Sequence, residues 1–152
     1  MARVLVLLGS ASDREYFEGV ERLSEFFGFD LELAILSAHR DAERLRAKLA
    51  DASAQGTQII IAAAGMAAHL AGVCAAETLL PVIGVPLPTS SLGGMDSLLS
   101  TVQMPAGIPV ATVAIGKAGA KNSIVLAARI LALKDPSVAM QLAEFKARGA
   151  RL

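Results

Sequence analysis

Residues 58–76 read Gln58-Ile59-Ile60-Ile61-Ala62-Ala63-Ala64-Gly65-Met66-Ala67-Ala68-His69-Leu70-Ala71-Gly72-Val73-Cys74-Ala75-Ala76, and the parsing of this stretch decides the fold. From Ile59 to Ala76 only His69 is polar, which nearly meets the length of a membrane span. Three features argue otherwise. The Ile59-Ile60-Ile61 run has the character of a buried strand, Gly65 interrupts the stretch, and no Lys or Arg flanks it. Much of the remainder is Ala, which drives membrane insertion weakly. Two short buried elements, a strand over Gln58–Ala62 and a helix over Ala67–Thr78, fit better.

The rest of the chain repeats that alternation. Strands are expected at Val4–Leu8, Leu31–Leu36, Val82–Val85 and Val110–Ala114. All but the second of the five are nearly continuous in apolar residues, as strands covered on both faces should be. Helices are expected over Asp13–Phe27, Asp41–Gln55, Met95–Val102, Ala120–Leu133 and Ser137–Arg148. The first carries Phe17, Val20, Leu23, Ser24 and Phe27 on one stripe, with Gly28 as its C-cap. Strands alternating with helices predict an α/β fold: a three-layer αβα parallel sheet of order 2-1-3-4-5, with ligands beyond the strand C-termini.

Composition narrows the function. The 152 residues suit one domain, large enough to bury roughly 70% of its unfolded surface. Fourteen basic residues offset fourteen acidic ones, so no nucleic acid or anionic membrane is expected as a partner. Hydrophobic residues reach 54% with only 4% aromatics, and the excess of Ala, Leu, Ile and Val predicts a homo-oligomer. The single Cys74 allows neither an intrachain disulfide nor a cysteine metal cluster. No signal peptide is visible at the start of the sequence, which leads to an expected cytoplasmic location.

The chemistry should lie in the loops at the strand ends. Gly9-Ser10-Ala11-Ser12-Asp13 precedes a helix, where free amides and the helix dipole suit a phosphate. Ser12 and Glu15 equally have the spacing of a capping box that needs no ligand. Asp13 would repel phosphate, so its place beside a nucleotide is at the ribose hydroxyls. Ser37-Ala38-His39-Arg40 joins an imidazole, a group suited to general acid–base work, to a fork of phosphate donors. His69, the other histidine, fits a hydrogen-bonded structural residue as well as a ligand contact. Two histidines without spaced acids make a poor metal site. Pro86–Asp96 has the composition of a mobile cover, and Met104–Pro109 that of a rigid turn.

Seven motifs, taken in order, resemble one family: Gly9-Ser10-x-Ser12-Asp13, Ser37-Ala38-His39-Arg40, Ala67-Ala68-His69-Leu70, Gly84-Val85-Pro86, Asp96-Ser97-Leu98, Gln103-Met104-Pro105 and Ala114-Ile115-Gly116-Lys117-Ala118-Gly119. The chain resembles the N5-carboxyaminoimidazole ribonucleotide mutases, the bacterial-type branch of the phosphoribosylaminoimidazole carboxylase family, from about residue 3 to 134. That resemblance implies a flavodoxin-like domain, a homo-octamer, a small-molecule ribonucleotide substrate and no cofactor or metal. It implies His39 as catalytic acid–base, with Ser10, Asp13 and Arg40 binding the ribonucleotide. Ser12 and Ser37 would line its phosphate and ribose pocket. Gly65, Ala68, His69 and Leu70 would form the wall where the carboxylate is handled. Met66 and Ala71 stand where family members commonly have Gly and Pro, a change in loop stiffness more than in chemistry.

Three rivals fit less well. The direct carboxylase branch resembles this chain but has Lys after Ser-Ala-His and lacks Ala-His-Leu, whereas here Arg40 and Ala68-His69-Leu70 stand. A receiver or flavin module would want an acid after strand three, or aromatic walls; the chain offers Ala62-Ala63-Ala64 and only Tyr16. A dinucleotide enzyme would need G-x-G-x-x-G in the first loop, which is absent.

Overall fold

The computed structural model describes residues 1–151. Five parallel strands, β1 Arg3–Leu8, β2 Asp30–Ile35, β3 Thr57–Gly65, β4 Val82–Leu87 and β5 Ala111–Thr112, form one sheet in the order β2-β1-β3-β4-β5. A 3₁₀ helix, Ala11–Phe17, follows β1. The α-helices are α1 Glu21–Phe27, α2 Ala42–Ala54, α3 Leu70–Glu77, α4 Met95–Val102, α5 Lys117–Leu131 and α6 Pro136–Ala147. The sheet order and layering are those expected from the sequence.

The alternation of side chains along each strand divides the core in two. Val4, Val6, Leu8, Ile59 and Ile61 meet Phe17, Phe27, Ile124 and Phe145 on one face. Leu5, Leu7, Ile60 and Ala62 meet Leu45, Leu49, Leu70 and Cys74 on the other. Burial of Cys74 pushes its thiol up to about 12. No helix among the described residues is long and apolar enough to cross a membrane; residues 58–76 form β3 and α3 instead.

Several elements differ from the sequence expectation. The first helix is broken: Gly19, at φ +80°, separates the 3₁₀ turn from α1. Its stripe is nonetheless buried, from Phe17 at 1% to Phe27 at 1%. β3 runs on to Gly65 because Ala62–Gly65 pair with Gly84–Leu87 of β4. β5 is shorter than Val110–Ala114. Pro86 has no N–H for a ladder, and β4–β5 pairing stops at Gly84↔Thr112. α3 begins at Leu70, which puts His69 at the cap position and outside the helix.

Register sets up the site. Leu8 lies opposite Ile35 and Ala63, so β1, β2 and β3 reach one sheet edge together. The Gly9 N–H donates to the Ala63 carbonyl at 3.0 Å, holding two of the exits side by side.

Candidate active site

The turn after β1 is fixed by its own side chains. Ser10 is extended (φ −149°, ψ 156°) and caps the 3₁₀ helix. Its N–H donates to Asp13 Oδ2 at 2.9 Å, and the Asp13 N–H donates to the Ser10 carbonyl at 3.1 Å. The capping box therefore forms between Ser10 and Asp13, two residues earlier than the expected Ser12–Glu15 pairing. Ser12 instead shares a hydrogen bond with Ser10, Oγ to Oγ at 3.0 Å. Burial raises the Asp13 carboxyl above its ordinary value, and the Ser10 N–H opposes that shift. The N–H groups of Ala11 and Ser12, first in the helix, have no acceptor within it and suit an anion.

The turn after β2 is held by Asp41. The Ser37 N–H donates to Asp41 Oδ2 at 3.1 Å, and the Arg40 N–H donates to Ser37 Oγ at 3.3 Å. Both His39 and Arg40 are exposed. No salt bridge among the described residues engages the Arg40 guanidinium, which leaves its fork of donors available.

The turn after β3 brings in the second histidine. Met66 is left-handed at φ 56°. The Ala68 N–H donates to Ser100 Oγ of α4 at 2.9 Å, and the His69 N–H donates to the Ala67 carbonyl at 2.8 Å. His69 Nδ1 then lies 2.7 Å from His39 Nε2, the rings 4.8 Å apart at 75°. The two histidines lie 30 positions apart in the sequence, and the fold joins them.

All three turns open into one cavity of about 460 Å³. Of the residues singled out from the sequence, Ser10, Ser12, Asp13, Ser37, His39, Arg40, Gly65, His69 and Leu70 line it. Ala68 does not: it is buried, with its N–H committed to Ser100. Thr89 also lines the cavity, and no local sequence feature singles it out. A Cβ placed on Gly65 would come within 1.7 Å of Thr89 Oγ1, so the glycine is what lets Thr89 approach. Beyond Thr89, the Ser90 hydroxyl donates to Asp96 Oδ2 at 2.6 Å and holds that carboxyl below its usual range.

Chemically the cavity offers a hydrogen-bonded imidazole pair, one guanidinium, helix-start amides and walls of small residues. That set can anchor a phosphorylated ligand and move a proton beside it. Among the described residues no three His, Cys, Asp or Glu side chains are grouped to hold a metal. A wider groove of about 890 Å³, between α1, α5 and α6, contains neither histidine and none of the three turns.

The chain is similar to known proteins over nearly its whole length. The sequence pattern of the family described as AIR carboxylase matches residues 3–151. The N5-carboxyaminoimidazole ribonucleotide mutase of Thermotoga maritima is 49% identical over 148 residues, covering 97% of this chain and 85% of the relative. The protein of that name from Escherichia coli is 46% identical over 145 residues, covering 95% and 86%. The crystal structure of Treponema denticola PurE superposes with a TM-score of 0.89 at 30% identity, covering 99% of this chain and 92% of that one.

Proposed function

The chain belongs to the AIR carboxylase family, and from that membership we propose that it is an isomerase of de novo purine biosynthesis. It converts N5-carboxyaminoimidazole ribonucleotide to 4-carboxy-5-aminoimidazole ribonucleotide. The observation that carries this reading is His39, 2.7 Å from His69, in the cavity that also holds Arg40 and the Gly9–Asp13 turn. Acid–base and phosphate-binding groups thus share one cleft.

The substrate is a carbamate, which loses carbon dioxide readily, and its aminoimidazole ring is electron-rich enough to attack that carbon dioxide again. The protein has mainly to hold both fragments together away from water. Gly65, Ala67 and Leu70 give a small apolar wall for a neutral intermediate. Arg40 and the amides of Ala11 and Ser12 anchor the phosphate. Asp13, with Ser10, Ser12 and Ser37, meets the ribose side. His39 gives a proton to the exocyclic nitrogen as the carboxyl leaves, then takes one from carbon 4. This chemistry requires neither metal nor organic cofactor.

The same reading makes the chain a single catalytic domain, cytoplasmic and assembled as a homo-octamer. Its 54% hydrophobic content and exposed Leu92, Met95 and Leu99 are consistent with burial between subunits.

A spectroscopic assay with the carbamate substrate tests the proposal. His39→Asn should fold and bind ribonucleotide but lose roughly 10²–10⁴-fold in turnover, whereas Arg40→Ala should chiefly weaken substrate binding. Near-normal turnover in the His39 variant removes the assignment. Rapid incorporation of labelled bicarbonate without prior carbamate would mean a direct carboxylase.

A further inference from the structure

We infer that His69 is a positioning residue that fixes the tautomer of His39, so that one nitrogen, His39 Nδ1, both gives and takes the proton; this rests on the carboxyl-transfer reading above. The warrant is an accounting of nitrogens. His39 Nε2 is engaged by His69 Nδ1 at 2.7 Å, and no other hydrogen bond among the described residues touches either ring. A nitrogen committed to that bond is not free for substrate. Nδ1 is the only nitrogen His39 has left.

The bond can be made in two ways. If His39 Nε2–H donates, neutral His39 keeps a lone pair on Nδ1 and is a base. If His69 Nδ1–H donates, neutral His39 carries its proton on Nδ1 and has no free base nitrogen. Only the first arrangement lets one ring serve both transfers. His69 then does with a neutral lone pair what a carboxylate does behind the histidine of a hydrolase triad. Among the described residues no carboxylate hydrogen-bonds to His39, so the role falls to His69.

The protons balance over a turnover. Protonated His39 gives its Nδ1 proton to the exocyclic nitrogen as the N–C bond breaks, its electron pair staying on nitrogen and carbon dioxide departing. Carbon 4 forms its bond to the carbon dioxide. The proton on carbon 4 returns to His39 Nδ1, which restores both the aromatic ring and the starting imidazolium. Throughout, Nε2–H stays donated to His69.

The backbone is built to hold this partner. His69 stands at the N-cap position of α3, its N–H is tied to the Ala67 carbonyl, and the preceding Ala68 N–H is tied to Ser100. The ring is exposed, so its removal opens no core cavity.

The test compares wild type with His69→Ala and His69→Asn, using steady-state kinetics and ¹⁵N nuclear magnetic resonance of the histidine rings. Wild-type His39, when neutral, should be protonated on Nε2. In His69→Ala, His39 should become a tautomer mixture, and kcat should fall roughly 10²-fold from lost orientation with KM within about twofold. His69→Asn, whose amide oxygen can accept the same bond, should recover much of the loss and the single tautomer. A wild-type His39 protonated on Nδ1 would overturn the inference, as would an unchanged kcat in His69→Ala. If wild type itself does not convert the carbamate, the functional reading fails, while the resonance data still decide the tautomer.

Discussion

Replacing Gly65 by Ala tests whether the cavity depends on the close approach of Thr89. An added Cβ would lie 1.7 Å from Thr89 Oγ1, 2.8 Å from its Cβ and 3.0 Å from its Cγ2. Rotating the Thr89 side chain removes the first contact but not the second, because Cβ does not move with χ1. Ordinary carbon contacts are about 3.5–4.0 Å, so the backbone at Thr89 must retreat by about 1 Å. Such overpacking costs about 1–3 kcal/mol, which is roughly 2–12 °C in Tm for a chain of this size. A displacement of about 1 Å beside the reacting groups costs up to about 10²-fold in turnover. Thr89→Gly removes all three atoms, so the double variant should be at least about 1 kcal/mol more stable than the two single effects summed. Thermal unfolding and the carbamate assay on wild type, both singles and the double complete the cycle. A Gly65→Ala protein with wild-type Tm and kcat would refute the reasoning, and so would additive singles.

Two further outcomes follow from ionisable groups. Asp13 is raised in the folded chain, so its ionised form is disfavoured there and its contribution to stability falls as pH rises through the folded value. Asp13→Asn should accordingly hold or raise Tm at pH 7 while weakening ribonucleotide binding. Any gain should shrink toward pH 3.8, where the carboxyl begins to protonate in the unfolded chain as well; a gain that grows on acidification contradicts this. Cys74, buried with its thiol near 12, should resist a thiol-exchange reagent at pH 8 in the native protein and react fully after denaturation. Rapid native labelling would mean that α3 opens readily.

The sheet was legible because its strands are apolar on both faces and the helices between them keep a 3.6-residue stripe. Phe17, Val20, Leu23 and Phe27 are buried as that stripe requires, even though Gly19 breaks the helix expected to carry them. Periodicity reports which side chains face the core; it is less sensitive to one glycine's backbone. The cleft was legible because parallel strands 2-1-3 deliver their loops to one edge, which brought His39, Arg40 and Ser10 together as expected. Contacts between distant segments were not. Ser100 reaches Ala68 across 32 positions and His39 reaches His69 across 30. Nothing in the local composition of either partner announces such a bond.

The segment after β4 illustrates this most clearly. Its Gly and Pro content reads as a cover, yet two of its contacts brace the turn that carries His69. Met66 is left-handed, a conformation that costs a side-chain-bearing residue roughly 1–2 kcal/mol. Such strain persists only where neighbours over-determine it. Here Gly65 on one side is packed against Thr89, and Ala68 on the other is hydrogen-bonded to Ser100. The Ser100 hydroxyl is itself 2.7 Å from the Asp96 carbonyl, and Asp96 accepts from Ser90. Residues 89–100 therefore clamp both flanks of the strained turn and set where the His69 ring stands. Displacing that segment would release the turn that carries His69, so the brace and the histidine pair are mechanically coupled.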